Sequence, residues 1–135
     1  MNVAFGDSFY FLALLNPKDR AHGHALQFIA LGSMRLLTTQ YVLLEVADAF
    51  AAPQDRPRFM ELLKMLKDST DVTVIPGSEE LFARGVDLYR RRPDKHWSLT
   101  DCLSFVVMQD HGITDALTGD QHFRQAGFTP LFAVG

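Results

Sequence analysis

Short apolar runs alternate along the chain with longer segments in which apolar residues recur every three or four positions. The run at residues 2–6 predicts a strand, and Ser8–Leu15 predicts a helix that ends before Pro17, because proline disfavours helical geometry in the preceding residue. The same alternation predicts strands at residues 35–38, 72–75, 115–118 and 130–134, and helices from residue 18 or 19 to residue 31 and over residues 39–52, 56–67, 78–89, 98–111 and 121–126. Strands separated by helices predict a three-layer α/β/α fold around a mostly parallel sheet of about five strands.

The size and composition of the chain favour a single domain over residues 1–135. Its 135 residues are 47% hydrophobic, which is enough to fill one ordinary core, and they contain no internal repeat or linker. No basic segment precedes the first apolar run, and Asp7 interrupts that run, so neither a signal peptide nor a membrane-spanning helix is expected. We therefore expect a cytoplasmic protein that does not bind membranes. The single cysteine, Cys102, excludes an internal disulfide and a cysteine-based zinc site.

The formal net charge of −3 argues against a generic nucleic-acid-binding protein, so any contact with phosphates must be local. One cluster of basic residues offers such contacts, although a solvated loop is the simpler explanation of a charged run. The candidates for RNA binding are Arg84, Arg90, Arg91, Arg92 and Lys95.

Four acidic residues are expected at one edge of the sheet. In a parallel α/β fold the carboxyl ends of the strands and the amino ends of the helices share an edge, which is the usual site of function. Asp7 directly follows the first strand, and Asp120 follows the fourth. Asp101 lies in the first turn of the helix at 98–111, and Glu45 lies about two turns into the helix after the second strand.

Helix capping is the alternative explanation for three of these acids. Asp7 and Asp120 stand where helices begin, and the segment Ser98-Leu99-Thr100-Asp101 resembles a capping box. Glu45 is different, because its neighbours are apolar and a buried carboxylate needs a partner or a metal.

The energies of these effects favour a metal if the acids do converge. Two carboxylates roughly 5 Å apart repel by about 3 kcal/mol at an effective dielectric near 20, whereas a helix cap contributes only about 1 kcal/mol. A divalent cation removes this conflict, and oxygen ligands favour Mg²⁺ or Mn²⁺ over Zn²⁺. The histidines lack the spacing of a helical metal pair, and we expect them at the surface: His22, His24, His96, His111 and His122.

Four sequence motifs resemble those of the PIN domain, in particular the VapC-like toxins of bacteria. The resemblance covers essentially the whole chain. The motifs are Phe5-Gly6-Asp7-Ser8, Thr38-Thr39 leading to Leu44-Glu45-Val46, Ser98-Leu99-Thr100-Asp101-Cys102, and Leu117-Thr118-Gly119-Asp120-Gln121-His122-Phe123.

This resemblance implies a PIN-like (Rossmann-like) fold and a ribonuclease that uses Mg²⁺ or Mn²⁺ to hydrolyse single-stranded RNA. It implies that Asp7 and Asp101 bind the principal metal, that Asp120 completes its shell, and that Glu45 positions or deprotonates the attacking water. Ser8 and Thr118 stand where family members carry small hydroxyls, which either make turn hydrogen bonds or contact metal-bound water and phosphate.

The resemblance also implies partners, namely a small antitoxin that covers the site and a second copy of the chain. An apolar docking surface on the first and third helices would include Phe9, Tyr10, Phe11 and Phe50, although core packing is the more frequent fate of such residues. Two other functions stay open. One is a catalytically silent PIN-like interaction module, against which the complete set of acids argues. The other is a phosphotransferase with Asp7 as nucleophile, which would require a second Asp where Phe9 stands.

Overall fold

Five parallel strands form one sheet in the computed structural model, which describes residues 2–31 and 34–132. The strands are β1 (Asn2–Gly6), β2 (Met34–Thr39), β3 (Val72–Ile75), β4 (Asp115–Leu117) and β5 (Thr129–Pro130), in the spatial order β3-β2-β1-β4-β5. All four strand pairs are parallel, as the alternation of strands and helices predicted. The predicted α/β fold class is therefore confirmed.

Seven helices surround this sheet in the described residues. They are α1 (Ser8–Leu15), α2 (His22–Leu31), α3 (Gln40–Ala49), α4 (Arg56–Asp68), α5 (Glu79–Arg91), α6 (Leu99–Asp110) and α7 (Gln121–Gln125). Hydroxyl side chains begin three of them: Thr39, Ser78 and Ser98 each accept a hydrogen bond from a backbone N–H in the first turn. No helix in the described ranges combines the length and apolarity needed to cross a membrane.

Three predicted boundaries differ from the structure by three residues or more. Helix α2 begins at His22 rather than at residue 18 or 19, because the Asp19 carboxylate accepts the Ala21 N–H at 2.9 Å and so stabilises a turn. Helix α3 ends at Ala49 instead of residue 52. The last strand covers only Thr129–Pro130, the chain bends at 131–132, and residues 133 and 134 of the predicted strand lie outside the described residues.

The register of the sheet brings the ends of its central strands together. Phe5 of β1 pairs with Leu37 of β2, and Gly6 pairs with Leu117 of β4. The residues that follow these strands consequently leave the sheet at one edge. Asp7 follows Gly6, and Thr118 follows Leu117, so a residue near the start of the chain lies beside one near its end.

Aromatic side chains fill much of the core. The ring of Phe105 on α6 lies 5.0 Å from that of Phe123 on α7, and Phe123 also packs against Phe5 of β1. All three are essentially fully buried. Three of the four aromatic residues considered for a docking surface are likewise buried in the core: Tyr10, Phe11 and Phe50.

Helix α6, which carries Asp101, is buried along most of its length. Every residue from Asp101 to Met108 is buried, so the helix is enclosed by the sheet and by neighbouring helices. Gly85 of α5 lies against Leu103, and a Cβ at position 85 would overlap the Leu103 side chain. This close approach fixes α6, and with it Asp101, relative to the rest of the fold.

Candidate active site

Asp7 occupies the N-cap position of α1, but its side chain makes no capping hydrogen bond. Its Oδ2 accepts a 2.7 Å hydrogen bond from the Thr118 hydroxyl, and its Oδ1 lies 3.5 Å from the Ser8 hydroxyl. Only 4% of Asp7 is exposed. Helix capping therefore does not explain a carboxylate at this buried position.

Burial raises the pKa of Asp7 to about 7. The Thr118 hydrogen bond opposes this rise in pKa, whereas the nearby charges of Asp101 and Glu45 add to it. Near neutral pH, Asp7 thus lies close to the balance between its charged and its neutral form. A cation at the site would favour the charged form.

Glu45 lies on α3, and its side chain reaches Ser8, the residue that follows Asp7. The Ser8 hydroxyl donates a hydrogen bond to Glu45 Oε1, which joins α1 to α3. Glu45 is half-buried, whereas Asp48, one turn further on, is exposed. The partner required by a carboxylate in this apolar segment is therefore a hydroxyl of the same site.

Asp101 forms the predicted capping box with Ser98. Its Oδ2 accepts the Ser98 N–H at 3.1 Å, and the Ser98 hydroxyl accepts the Asp101 N–H at 3.0 Å. The same Oδ2 lies 3.0 Å from Nδ1 of His122. Burial raises the pKa of Asp101, the Ser98 amide and His122 oppose that rise, and the Asp120 charge adds to it.

Asp120 begins α7 and caps it, because its Oδ1 accepts the backbone N–H of His122 at 2.9 Å. Its own backbone N–H donates to the Thr118 hydroxyl oxygen at 3.0 Å. Since that hydroxyl donates in turn to Asp7, a chain of hydrogen bonds runs from the α7 turn to Asp7.

His122 belongs to this cluster, contrary to the expectation that it lies at the surface. Its Nδ1 is 3.0 Å from Asp101 Oδ2 and 3.5 Å from Asp120 Oδ1, and its side chain is 23% exposed. The sequence contained a signal for this position. His122 stands two residues after Asp120, in the first turn of a helix that begins at the same edge.

Two adjacent groups thus make up the site. Asp7, Ser8, Glu45 and Thr118 form one, and Asp101, Asp120 and His122 form the other. In the part of the chain that the structure describes, the second group has its ligand atoms close enough to share one metal ion. These atoms all lie within 4.8 Å of one another. The carboxylates and imidazole of this group suit a divalent cation, and Mn²⁺ accepts both kinds of ligand.

The basic residues considered for RNA binding lie in two regions, on helix α5 and in the loop that follows it. Arg84 makes two hydrogen bonds to Asp110, at 2.6 and 2.8 Å. Asp110 ends α6, nine residues beyond Asp101, which corresponds to about 14 Å along a helix axis. Arg90 and Arg91 both pair with Asp87 on their own helix, at 2.7 and 2.8 Å. The structure does not bring Arg84 to the acidic cluster.

Arg92 and Lys95 lie in the loop that leads to α6. Arg92 pairs with Asp94 at 3.0 Å, and its guanidinium lies 4.9 Å from the centre of the Trp97 ring. Trp97 directly precedes Ser98 and donates a 3.1 Å hydrogen bond to Gln125, which ends α7. This loop therefore approaches the helices that carry Asp101 and Asp120.

Comparisons with known proteins show the family and similar structures. The family model described as PIN domain matches residues 5–129. VapC20 of Mycobacterium tuberculosis, described as a sarcin-ricin loop cleaving toxin, has 25% sequence identity and a TM-score of 0.85, over 96% of this chain and 98% of VapC20. No curated protein sequence matches the chain.

Two further structures share the fold at lower identity. VapBC2 from Rickettsia felis, bound to a DNA fragment from its promoter, has 12% identity and a TM-score of 0.66, over 93% of each chain. FitAcB from Neisseria gonorrhoeae has 15% identity and a TM-score of 0.63, over 96% of each chain.

Proposed function

The chain belongs to the PIN domain family, and from this premise we propose that it is a metal-dependent endoribonuclease that hydrolyses phosphodiester bonds in single-stranded RNA. One observation carries the proposal: Asp7, a carboxylate with only 4% exposure, lies beside further acids at the carboxyl edge of the sheet. Concentrating acids in this way costs stability unless a cation offsets their charge.

The metal ligands in this proposal are Asp101 and Asp120, with Asp7 binding the same ion directly or through water and Glu45 facing the site. When bound by these residues, Mg²⁺ or Mn²⁺ would lower the pKa of a water molecule and offset negative charge that develops on the phosphate. Glu45 orients the attacking water or removes its proton. The Ser8 hydroxyl holds the Glu45 carboxylate in place for that role.

Thr118 supports the site through two hydrogen bonds. Its hydroxyl donates to Asp7 Oδ2 and accepts from the Asp120 N–H, so it sets the distance between an acid of the first group and one of the second. Removal of this hydroxyl would leave a buried carboxylate without its neutral donor. A supporting role that requires no contact with substrate is consistent with its complete burial.

RNA would enter along the loop that joins α5 to α6. Arg92 and Lys95 supply positive charge there, and Arg92 lies over the ring of Trp97 at the approach to Ser98. A local strip of basic charge suffices to hold flanking phosphates in a chain with a net charge of −3. Arg92 lies in this loop although it is paired with Asp94, whereas Arg90 and Arg91 are paired with Asp87 on α5 and are weaker candidates.

Similarity to VapC20 supports a more specific proposal, that the chain is the toxin of a toxin–antitoxin pair acting in the cytoplasm. Its partners would be a small antitoxin protein and a second copy of the chain. Since VapC20 is described as cleaving the sarcin-ricin loop, structured RNA is included among the proposed substrates.

The test is cleavage of a labelled single-stranded RNA pool by the purified chain, first in EDTA and then with added Mg²⁺ or Mn²⁺. Asp101→Asn keeps an oxygen that can accept the Ser98 N–H, and it removes the charge. Asp110→Asn is the matched control, because Asp110 is an exposed acid at the far end of the same helix.

We expect cleavage by the parent and by Asp110→Asn with metal, and cleavage no faster than in EDTA for Asp101→Asn. If the parent cleaves no RNA with either metal, or if Asp101→Asn cleaves as fast as the parent, the proposed activity is wrong.

A further inference from the structure

We infer that His122 is a direct nitrogen ligand of the metal and that it makes the site bind Mn²⁺ in preference to Mg²⁺. This inference rests on the proposed function and adds a residue and a metal preference to it. The four acids and the two supporting hydroxyls that were expected from the sequence offer only oxygen atoms as ligands.

The direction of the imidazole is fixed by the start of α7. Asp120 Oδ1 accepts the backbone N–H of His122. Asp120 therefore orients the His122 backbone, and with it the direction in which the imidazole ring extends. Nδ1 then faces both carboxylates, at 3.0 Å from Asp101 Oδ2 and 3.5 Å from Asp120 Oδ1. A ring placed between two acids presents its nitrogen where a shared cation would be bound.

The spacing of these atoms matches the edges of a coordination shell. In an octahedron with ligands at about 2.1 Å, adjacent ligand atoms lie about 3.0 Å apart. The distances of 3.0 and 3.5 Å from Nδ1 require movements of only tenths of an ångström to meet this geometry. The ligand atoms of Asp101, Asp120 and His122, all within 4.8 Å of one another, are therefore close enough to share one ion.

A purely structural role for His122 is the alternative, in which its Nδ1–H only fixes the Asp101 carboxylate. The capping box already does this, because the Ser98 N–H donates to the same Oδ2 at 3.1 Å. A second donor on that oxygen adds little to its orientation. A metal ligand at Nδ1 accounts for the position of the ring between Asp101 and Asp120.

The charge of the site also favours a neutral ligand. The carboxylates of Asp7, Glu45, Asp101 and Asp120 together exceed the charge of one divalent ion, and each added carboxylate increases their repulsion. A neutral imidazole adds a ligand without adding charge. Imidazole binds transition ions such as Mn²⁺, whereas Mg²⁺ prefers oxygen ligands and retains its waters, so this ligand distinguishes the two ions.

The direct test is pulsed electron paramagnetic resonance of Mn²⁺ bound to the full chain, which detects a nitrogen coordinated to the ion. We expect imidazole nitrogen coupling in the parent. His122→Asn, whose amide can still donate a hydrogen bond to Asp101, should lose the coupling. His111→Asn is the matched control, because His111 is an exposed histidine at the C-cap of α6, and it should keep the coupling.

Calorimetric titration with MnCl₂ and MgCl₂ provides a second measurement. Loss of even an indirect partner of a metal ligand typically weakens metal binding roughly 10- to 100-fold, so His122→Asn should weaken Mn²⁺ binding by at least about tenfold. Its affinity for Mg²⁺ should change much less. Circular dichroism of each variant reports whether the fold is retained.

Absence of nitrogen coupling in the parent, or equal loss of Mn²⁺ and Mg²⁺ affinity in a folded His122→Asn variant, would overturn the inference. These outcomes differ from failure of the proposed function. A parent that cleaves RNA with metal but shows no nitrogen coupling refutes only the role of His122. A parent that shows the coupling but cleaves no RNA refutes the proposed activity.

Discussion

The hydroxyl of Thr118 donates a 2.7 Å hydrogen bond to Oδ2 of Asp7, across 111 residues of sequence. The contact follows from the pairing of Gly6 with Leu117 in the sheet. Asp7 and Thr118 come next in the chain, so both leave their strands at the same edge of the sheet. The same Thr118 oxygen accepts the N–H of Asp120, so one fully buried hydroxyl joins two of the acids.

Replacing this hydroxyl with a methyl group tests its contribution. Thr118→Val preserves the shape of the side chain but leaves the buried Asp7 carboxylate and the Asp120 N–H without their partner. We expect the free energy of unfolding to fall by about 1–3 kcal/mol, as measured by urea denaturation. Thr118→Ser retains the hydroxyl and should lose clearly less. Equal stability of Thr118→Val and the parent would show that the bond contributes nothing.

The pKa of Asp7 predicts how stability depends on pH in the metal-free protein. Because burial raises this pKa from 3.8 to about 7, the native state holds a proton that the unfolded state releases between those values. The free energy of unfolding should therefore fall as pH rises from 4 to 7, by up to about 4 kcal/mol from this group. Below pH 4 and well above pH 7 the contribution is constant.

Asp7→Asn removes this proton and its pH dependence. In EDTA the variant should be more stable than the parent at pH 8, and the difference should shrink as pH falls towards 4. Chemical denaturation of both proteins across this range measures the difference at each pH. A difference that does not change with pH would contradict a raised pKa for Asp7.

Glu45 is predicted to contribute to the chemical step rather than to folding. Glu45→Gln keeps an oxygen that can accept the Ser8 hydroxyl, but it cannot remove a proton from water. General-base catalysis typically contributes 10²- to 10⁴-fold, so the cleavage rate at saturating metal should fall by about 100-fold or more. Asp48→Asn, an exposed acid on the same helix, should leave the rate unchanged. An unchanged rate in Glu45→Gln would remove Glu45 from the mechanism.

The basic residues are predicted to differ in their contribution to RNA binding. Arg92→Ala should weaken binding and reduce the slope of log affinity against log salt by about 0.7, the value for one contact with single-stranded phosphate. Arg84→Ala should change neither, because Arg84 pairs with Asp110 away from the acids. Fluorescence anisotropy at several salt concentrations measures both. A larger effect of Arg84→Ala than of Arg92→Ala would reverse this assignment.

The order of strands and helices was predictable because each element carries its own local pattern. Apolar runs specify the strands, and the recurring apolar positions from residue 56 specify α4, which ends within one residue of its predicted bound. The ends of helices and strands were less predictable where a side chain accepts a hydrogen bond from a nearby backbone N–H and so stabilises a turn. Helix α2 was expected to begin at residue 18 or 19, but the Asp19 carboxylate stabilises a turn there instead.

The sequence also predicted which edge of the sheet carries the acids, because the parallel topology fixes that edge. It left open whether each acid serves as a cap. The structure shows that Asp101 and Asp120 do cap their helices, whereas Asp7 does not. Capping and metal binding are compatible, since a carboxylate oxygen that accepts an N–H retains capacity for another partner.

The position of His122 could not be predicted from the spacing of the histidines, because its neighbour Asp101 comes from a different helix, 21 residues away. The pairing of Arg84 with Asp110 was equally inaccessible, because it depends on how α5 lies against α6. Such contacts follow from tertiary packing rather than from local sequence.

Diffraction from crystals soaked in MnCl₂, recorded with the anomalous signal of manganese, tests the central claim most directly. That claim is that the acids at the edge of the sheet, among them Asp7, Asp101 and Asp120, form a metal centre. The account predicts an anomalous peak between Asp101 and Asp120, with carboxylate oxygens at about 2.2 Å and Asp7 beside the ion. A site without such a peak, at a Mn²⁺ concentration that supports RNA cleavage, would contradict it.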